Sequence, residues 1–235
     1  MPNTYFQFKQ FLIDQAVDGM KVTTDGCIFG ALIKEVSKGN ILDIGTGTGL
    51  LSLMLAQRTK AEIHALEIDE NVAQQAVENV KNSPWQDQII VLQQDFKVFE
   101  TETIYDQIIC NPPFFKNSHK GQSASKNTAI HDDDLPMVTL INRSEKLLSS
   151  QGSLWVMYPE YEMKQFTLLA SESGFSLCQQ TAIYNQADKP VFRVVAQFSK
   201  AQPNKSISLE LIIKEADGSY TKKFTHLLKE YYLHL

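Results

Sequence analysis

The chain has 235 residues, 43% hydrophobic and 21% charged, the balance of a compact globular domain with a full core. Its formal net charge of −5 argues against a protein that coats nucleic acid non-specifically, because that binding needs many cations to neutralise phosphates. No apolar run approaches the ~20 residues of a membrane span. The start Met1-Pro2-Asn3-Thr4 lacks the regions of a signal peptide, and the scattered cysteines and histidines lack disulfide or metal-ligand spacing. The expectation is a cytoplasmic protein with neither membrane nor metal.

The aromatic-rich start carries Tyr5, Phe6, Phe8, Phe11 and Leu12, and Thr24 or Asp25 is expected to cap a helix reaching residue 36. From residue 40, short β-rich runs alternate with helical patterns, the signature of a doubly wound parallel sheet. A strand at 41–44 runs through a glycine-rich turn into a helix with Leu50, Leu51, Leu53, Met54 and Leu55. A second strand at 63–67 leads to Asp69, a good N-cap, and a helix with Ala73, Ala76, Val77 and Val80 on its apolar face.

Strands follow at 89–92 and 105–110, the latter ending at Pro112-Pro113, which cannot continue a central strand. The acids at 132–134, with Pro136, announce a helix. A fifth strand at 154–158, a helix at 160–173 and an antiparallel pair at 175–184 and 191–198 come next. The alternation Ile207, Leu209, Leu211, Ile213 predicts one more strand, and Phe224, Leu227, Leu228 and Tyr231 a terminal helix. No internal repeat is visible.

Asp43-Ile44-Gly45-Thr46-Gly47-Thr48-Gly49 stands where strand meets helix, so Gly45, Gly47 and Gly49 permit a tight turn and close ligand approach. Leu50 breaks the nicotinamide fingerprint. Asp43 would repel a pyrophosphate but can accept from the amino group of S-adenosyl-L-methionine. Glu67, about twenty residues on, is placed for ribose hydroxyls. Asp95 and Phe96 suit an adenine amino group and ring; a plain turn cap is the bland alternative.

Asn111-Pro112-Pro113-Phe114 then supplies acceptors for a conjugated amine. If the Asn111 side-chain oxygen and the Pro112 carbonyl each take one N–H, the nitrogen lone pair is freed for methyl transfer, and Phe114 offers a stacking face worth about 1–3 kcal/mol per base. The catalytic candidates are thus Asn111, Pro112 and Phe114, with Asn111 also bordering the cofactor. A surface turn is the competing account.

The order and spacing of these motifs resemble class I amino-methyltransferases, which implies a Rossmann-like, mostly parallel seven-stranded sheet with short N- and C-terminal extensions. Such motifs serve adenine N6, guanine N2 and glutamine amides alike. The flanks Phe6-Gln7-Phe8-Lys9-Gln10-Phe11, residues 21–26, residues 55–59 and Asn82-Ser83-Pro84-Trp85 resemble the bacterial tRNA1(Val) adenine-N6-methyltransferase family. That resemblance implies adenine 37 beside the anticodon as target, tRNA as partner, no obligate protein partner, and residues 21–26, Thr24 among them, flooring the cofactor pocket. Phe114 departs from the tyrosine common there, losing a hydroxyl and keeping the ring.

Release-factor glutamine methyltransferases carry a sizeable helical domain ahead of this core, and little chain precedes the glycine turn here. Lys116, Lys120 and Lys126, in a stretch without acids after the motif, are the candidate phosphate contacts; a solvated loop is nearly as good an account. A non-catalytic RNA-binding protein of the same fold is the other class of answer. The expected organisation is an N-terminal segment 1–39 completing the cofactor pocket, a core at 40–200, and a strand and helix at 201–235 packed on it.

Overall fold

The computed structural model describes residues 4–15, 21–112, 135–201, 203 and 205–235. A hairpin of β1 (Tyr5–Gln7) and β2 (Leu12–Asp14) precedes α1 (Thr24–Leu32). Then come β3 (Asn40–Ile44), α2 (Leu50–Ala56), β4 (Glu62–Glu67), α3 (Glu70–Lys81), β5 (Ile89–Gln93) and β6 (Tyr105–Cys110). The second half is α4 (Met137–Leu147), β7 (Leu148–Tyr158), α5 (Glu160–Glu172), β8 (Ser176–Tyr184), β9 (Val191–Ser199), β10 (Ile207–Ile212) and α6 (Lys222–Leu228).

The sheet has eight strands, in the order β10-β8-β9-β7-β6-β3-β4-β5, one more than expected. The eighth is β10, which pairs in parallel with β8. Its alternation predicts a strand, but a partner two strands back in the chain leaves no local trace. Only β9 runs antiparallel to its neighbours, so β3, β4, β5, β6 and β7 end on one edge.

Two apolar layers sandwich the sheet. One gathers α1, α2, α6 and the N-terminal hairpin around Phe29, Met54, Trp155 and Phe224; the other gathers α4 and α5 around Leu140, Phe166 and Phe198. Strands buried on both faces explain near-continuous runs such as Ile41 to Ile44. The first helix differs from expectation by a residue at its start and by a turn at its end. Thr23 is the N-cap, its Oγ accepting from Gly26 N at 3.2 Å, and the chain turns extended at Ile33. On α3, Asp69 caps as expected, accepting from Val72 N at 3.0 Å. Val72 is buried there and Val77 is 38% exposed, because the helix turns the start of its apolar stripe toward the sheet.

The two ends of the chain are joined. Lys9 N donates to Tyr231 O at 2.8 Å, and Phe8 bridges Tyr232. The Phe8 ring, fully buried, lies 4.4 Å from Phe11, 4.7 Å from Phe6 and 6.0 Å from Tyr232 between centroids. Phe8→Ala is therefore expected to cost about 3–5 kcal/mol, read as a lowered urea midpoint.

Candidate active site

Parallel strands that end together leave their last residues and the following turns facing a common crevice. Here that crevice is a cavity of about 350 Å³, lined by the glycine turn, the ends of β4 and β6, the segment after β5 and the start of α1. The size suits a small-molecule site.

The glycine turn is held open by backbone that side chains resist. Gly45, Gly47 and Gly49 have φ of 68°, 58° and 86°, the left-handed region natural to glycine. Gly45 and Gly47 line the cavity, whereas Gly49 stands behind as the N-cap of α2. Glu67, at the end of β4, reaches across, its Oε2 accepting from Gly47 N at 2.9 Å and its Oε1 from Ile68 N at 2.9 Å. Asn79 of α3, not singled out by the sequence, braces the same turn. Its Nδ2 donates to Thr48 O and Asp14 O, both at 2.9 Å, tying the turn to the N-terminal hairpin.

Asp43 lies one layer behind the lining residues, fully buried. Thr46 Oγ1 and Ser52 Oγ both donate to its Oδ2 at 2.7 Å. Its Oδ1 is buried with no partner among the described residues. Burial pushes the carboxyl up to about 6, with the hydroxyl donors pulling it back and nearby Glu67 adding to the rise. A cation brought to the turn would relieve that cost, so the spare carboxylate acceptor fits the ammonium of an amino-acid ligand.

Asn111 and Pro112 follow β6 directly and line the cavity. The Asn111 side-chain oxygen is buried with no partner among the described residues, and Pro112 is buried beside it. Phe96 is 5% exposed yet lines the cavity, with the Arg143 guanidinium 5.5 Å from its ring centroid. Asp95 also lines it while accepting from Lys97 N at 2.8 Å, so it caps its turn as well. Pro113, Phe114, Lys116, Lys120 and Lys126 lie outside the described residues.

Thr24 is exposed and is not among the lining residues; Lys21, Thr23 and Gly26 of the same segment line the cavity. Capping sets this, because the N-cap Thr23 sits at the mouth and Thr24 already belongs to the helix, where its side chain meets Tyr232. The threonine-to-glycine capping pattern at 23–26 was the available signal. Among the described residues no group of three or more His, Cys, Asp or Glu could hold a metal ion, and no helix is long and apolar enough to cross a membrane.

The strand order with its glycine turn is the architecture of a class I methyltransferase. A predicted O-methyltransferase of Agrobacterium tumefaciens superposes with a TM-score of 0.68 at 18% identity, covering 87% of this chain and 95% of its own. A glycopeptide N-methyltransferase solved with S-adenosyl-L-methionine does so at 0.55 and 13%, covering 75% and 92%. The family model of the methyltransferase small domain matches residues 27–186. Relatives from Phocaeicola vulgatus, at 41% identity over all of both chains, and Cytophaga hutchinsonii, at 39% likewise, are each named tRNA1(Val) (adenine(37)-N6)-methyltransferase. A Vibrio campbellii relative of that name is 38% identical over 97% of this chain and 95% of its own. The chain belongs to the tRNA1(Val) (adenine(37)-N6)-methyltransferase family.

Asp43 makes the fold pH-sensitive. Its folded value near 6 exceeds its ordinary 3.8, so its stabilising contribution is full below pH 3.8 and lost as pH rises through 6. Relative to Asp43→Asn, the wild type is expected to lose about 3 kcal/mol between pH 4 and 7, at ~1.4 kcal/mol per unit. Urea titrations of both proteins across that range measure it.

Proposed function

We propose that this chain transfers the methyl group of S-adenosyl-L-methionine to the exocyclic N6 amine of adenine 37 in the anticodon loop of a valine tRNA. The observation that carries this is the Asn111 oxygen, buried at the cavity wall without a partner among the described residues, in a chain whose full-length relatives bear that name. S-Adenosyl-L-methionine supplies an electrophilic sulfonium methyl. Asp43, through Thr46 and the turn of Gly45, Gly47 and Gly49, would hold the amino-acid part. Glu67 would take the ribose hydroxyls, and Asp95 with Phe96 the adenine. Residues 1–39 complete this pocket, a role supported by the Lys21, Thr23 and Gly26 wall; residues 201–235 pack on the core.

An adenine amine is a poor nucleophile because its lone pair is delocalised into the ring. Leaving the Asn111 oxygen buried and unpaired costs about 1–3 kcal/mol, and an arriving N–H removes that cost. With one N6 hydrogen on Asn111 and the other on the Pro112 carbonyl, the nitrogen pyramidalises and its lone pair is aimed. Pro112 and Pro113 carry no N–H to compete for these acceptors. Phe114 stacks on the base, and the proton leaves to solvent without a strong base. An anticodon loop offers an unpaired base, so no duplex has to open.

Labelled-methyl transfer to tRNA followed by nucleoside digestion is expected to yield N6-methyladenosine; N2-methylguanosine, or no transfer to any RNA, would sink the proposal. Asn111→Ala should lower kcat by about 10²–10³-fold with tRNA binding retained. Replacing Lys116, Lys120 and Lys126 by glutamine should weaken tRNA binding and flatten its salt dependence while sparing cofactor binding, measured by filter binding across a salt series.

A further inference from the structure

The edge of the sheet that carries Asn111 extends well beyond the cavity. β9 is antiparallel to both β7 and β8, so β8, and β10 paired parallel to it, point the same way as β6. The hairpin after β10, bridged at Lys214 and Tyr220, and the first turn of α6 therefore stand on the rim where the cavity opens. Four strand spacings separate β6 from β10, about 19 Å at ~4.8 Å each.

The cations on this rim sit against local preference. Lys222 and Lys223 occupy the first turn of α6, where the helix dipole opposes positive charge. Both are exposed, and neither forms an ion pair with a described residue. No acidic residue occurs within α6. Lys214 is held with its ammonium 5.9 Å from the Tyr220 ring centroid. Tyr220 itself is braced on Phe224, centroids 4.6 Å apart, while 43% exposed. Of the hairpin's two acids, Asp217 is engaged with Ser219, accepting from its N at 2.9 Å and its Oγ at 2.6 Å, and Glu215 remains. Lys189, on the neighbouring β8–β9 turn, is offset by Asp188 at 3.2 Å.

Lysines with no ion-pair partner among the described residues, two of them opposed by the helix dipole, on the rim shared with the reaction centre, call for an anionic partner that spans both. Resting on the tRNA reading, we propose that Lys214, Lys222 and Lys223 form a phosphate-contact site for the RNA backbone flanking the target base. The site lies across the rim from the cavity. It orients a structured RNA so that one unpaired base enters beside Asn111. A base or nucleoside alone would not reach it. The net charge of −5 makes such a confined patch a device for register more than for bulk attraction.

The test is a Lys214→Gln, Lys222→Gln, Lys223→Gln variant titrated with tRNA over a salt series. The expected result is about tenfold weaker binding near 0.1 M salt and a log–log salt slope shallower by about 2, near 0.7–0.9 per phosphate lost. Binding of S-adenosylhomocysteine should not move and the thermal midpoint should not fall, since they report cavity and fold and the lysines oppose the helix dipole. Unchanged tRNA affinity and slope would overturn the site, whatever happens to methylation. A wild type that binds tRNA through these lysines yet transfers no methyl group leaves the surface standing and removes the activity. A wild type that binds no RNA removes both.

Discussion

Asp43 is the side chain around which the site is built. A carboxylate buried at the end of a central parallel strand is costly unless donors meet it, and Thr46 and Ser52 both meet one of its oxygens. Those two bonds join β3 to the glycine turn and to the first turn of α2. The turn's left-handed glycines, its hold on Glu67 and the direction in which α2 leaves the sheet all follow from that anchoring. The second carboxylate oxygen has no partner among the described residues, and a cation is the kind of group that would satisfy it.

The same economy applies at Asn111. Its oxygen lies in the cavity wall with no partner among the described residues, next to a proline that offers no donor. Two buried acceptors without partners among the described residues, one in the cavity wall and one behind the glycine turn, are poor choices for stability and good ones for binding. Each gains most when the matching donor arrives, which is how binding energy is concentrated on the reacting geometry.

The chain ends serve this core. Asn79 links the N-terminal hairpin to the glycine turn, and the tail closes on the hairpin through Tyr231 and Phe8. A wall of the cavity from residues 21–26 is thus supported by segments far away in sequence, so mutations in the last residues reach the site through packing rather than contact.

The sequence by itself determined the alternation of strands and helices, the glycine turn, the Asp69 cap, and the acidic residues at strand ends. These are local matters of periodicity, backbone conformation and capping, written within a few neighbours. Only the tertiary structure decided that β10 pairs with β8, that Thr23 and not Thr24 meets the cavity, and that Asn79 braces the turn. It also decided that Lys214, Lys222 and Lys223 share a rim with Asn111, although in sequence they look like an ordinary solvated face. Those outcomes depend on strand order and on which face of a helix turns inward, and both are set by contacts between residues tens to hundreds of positions apart.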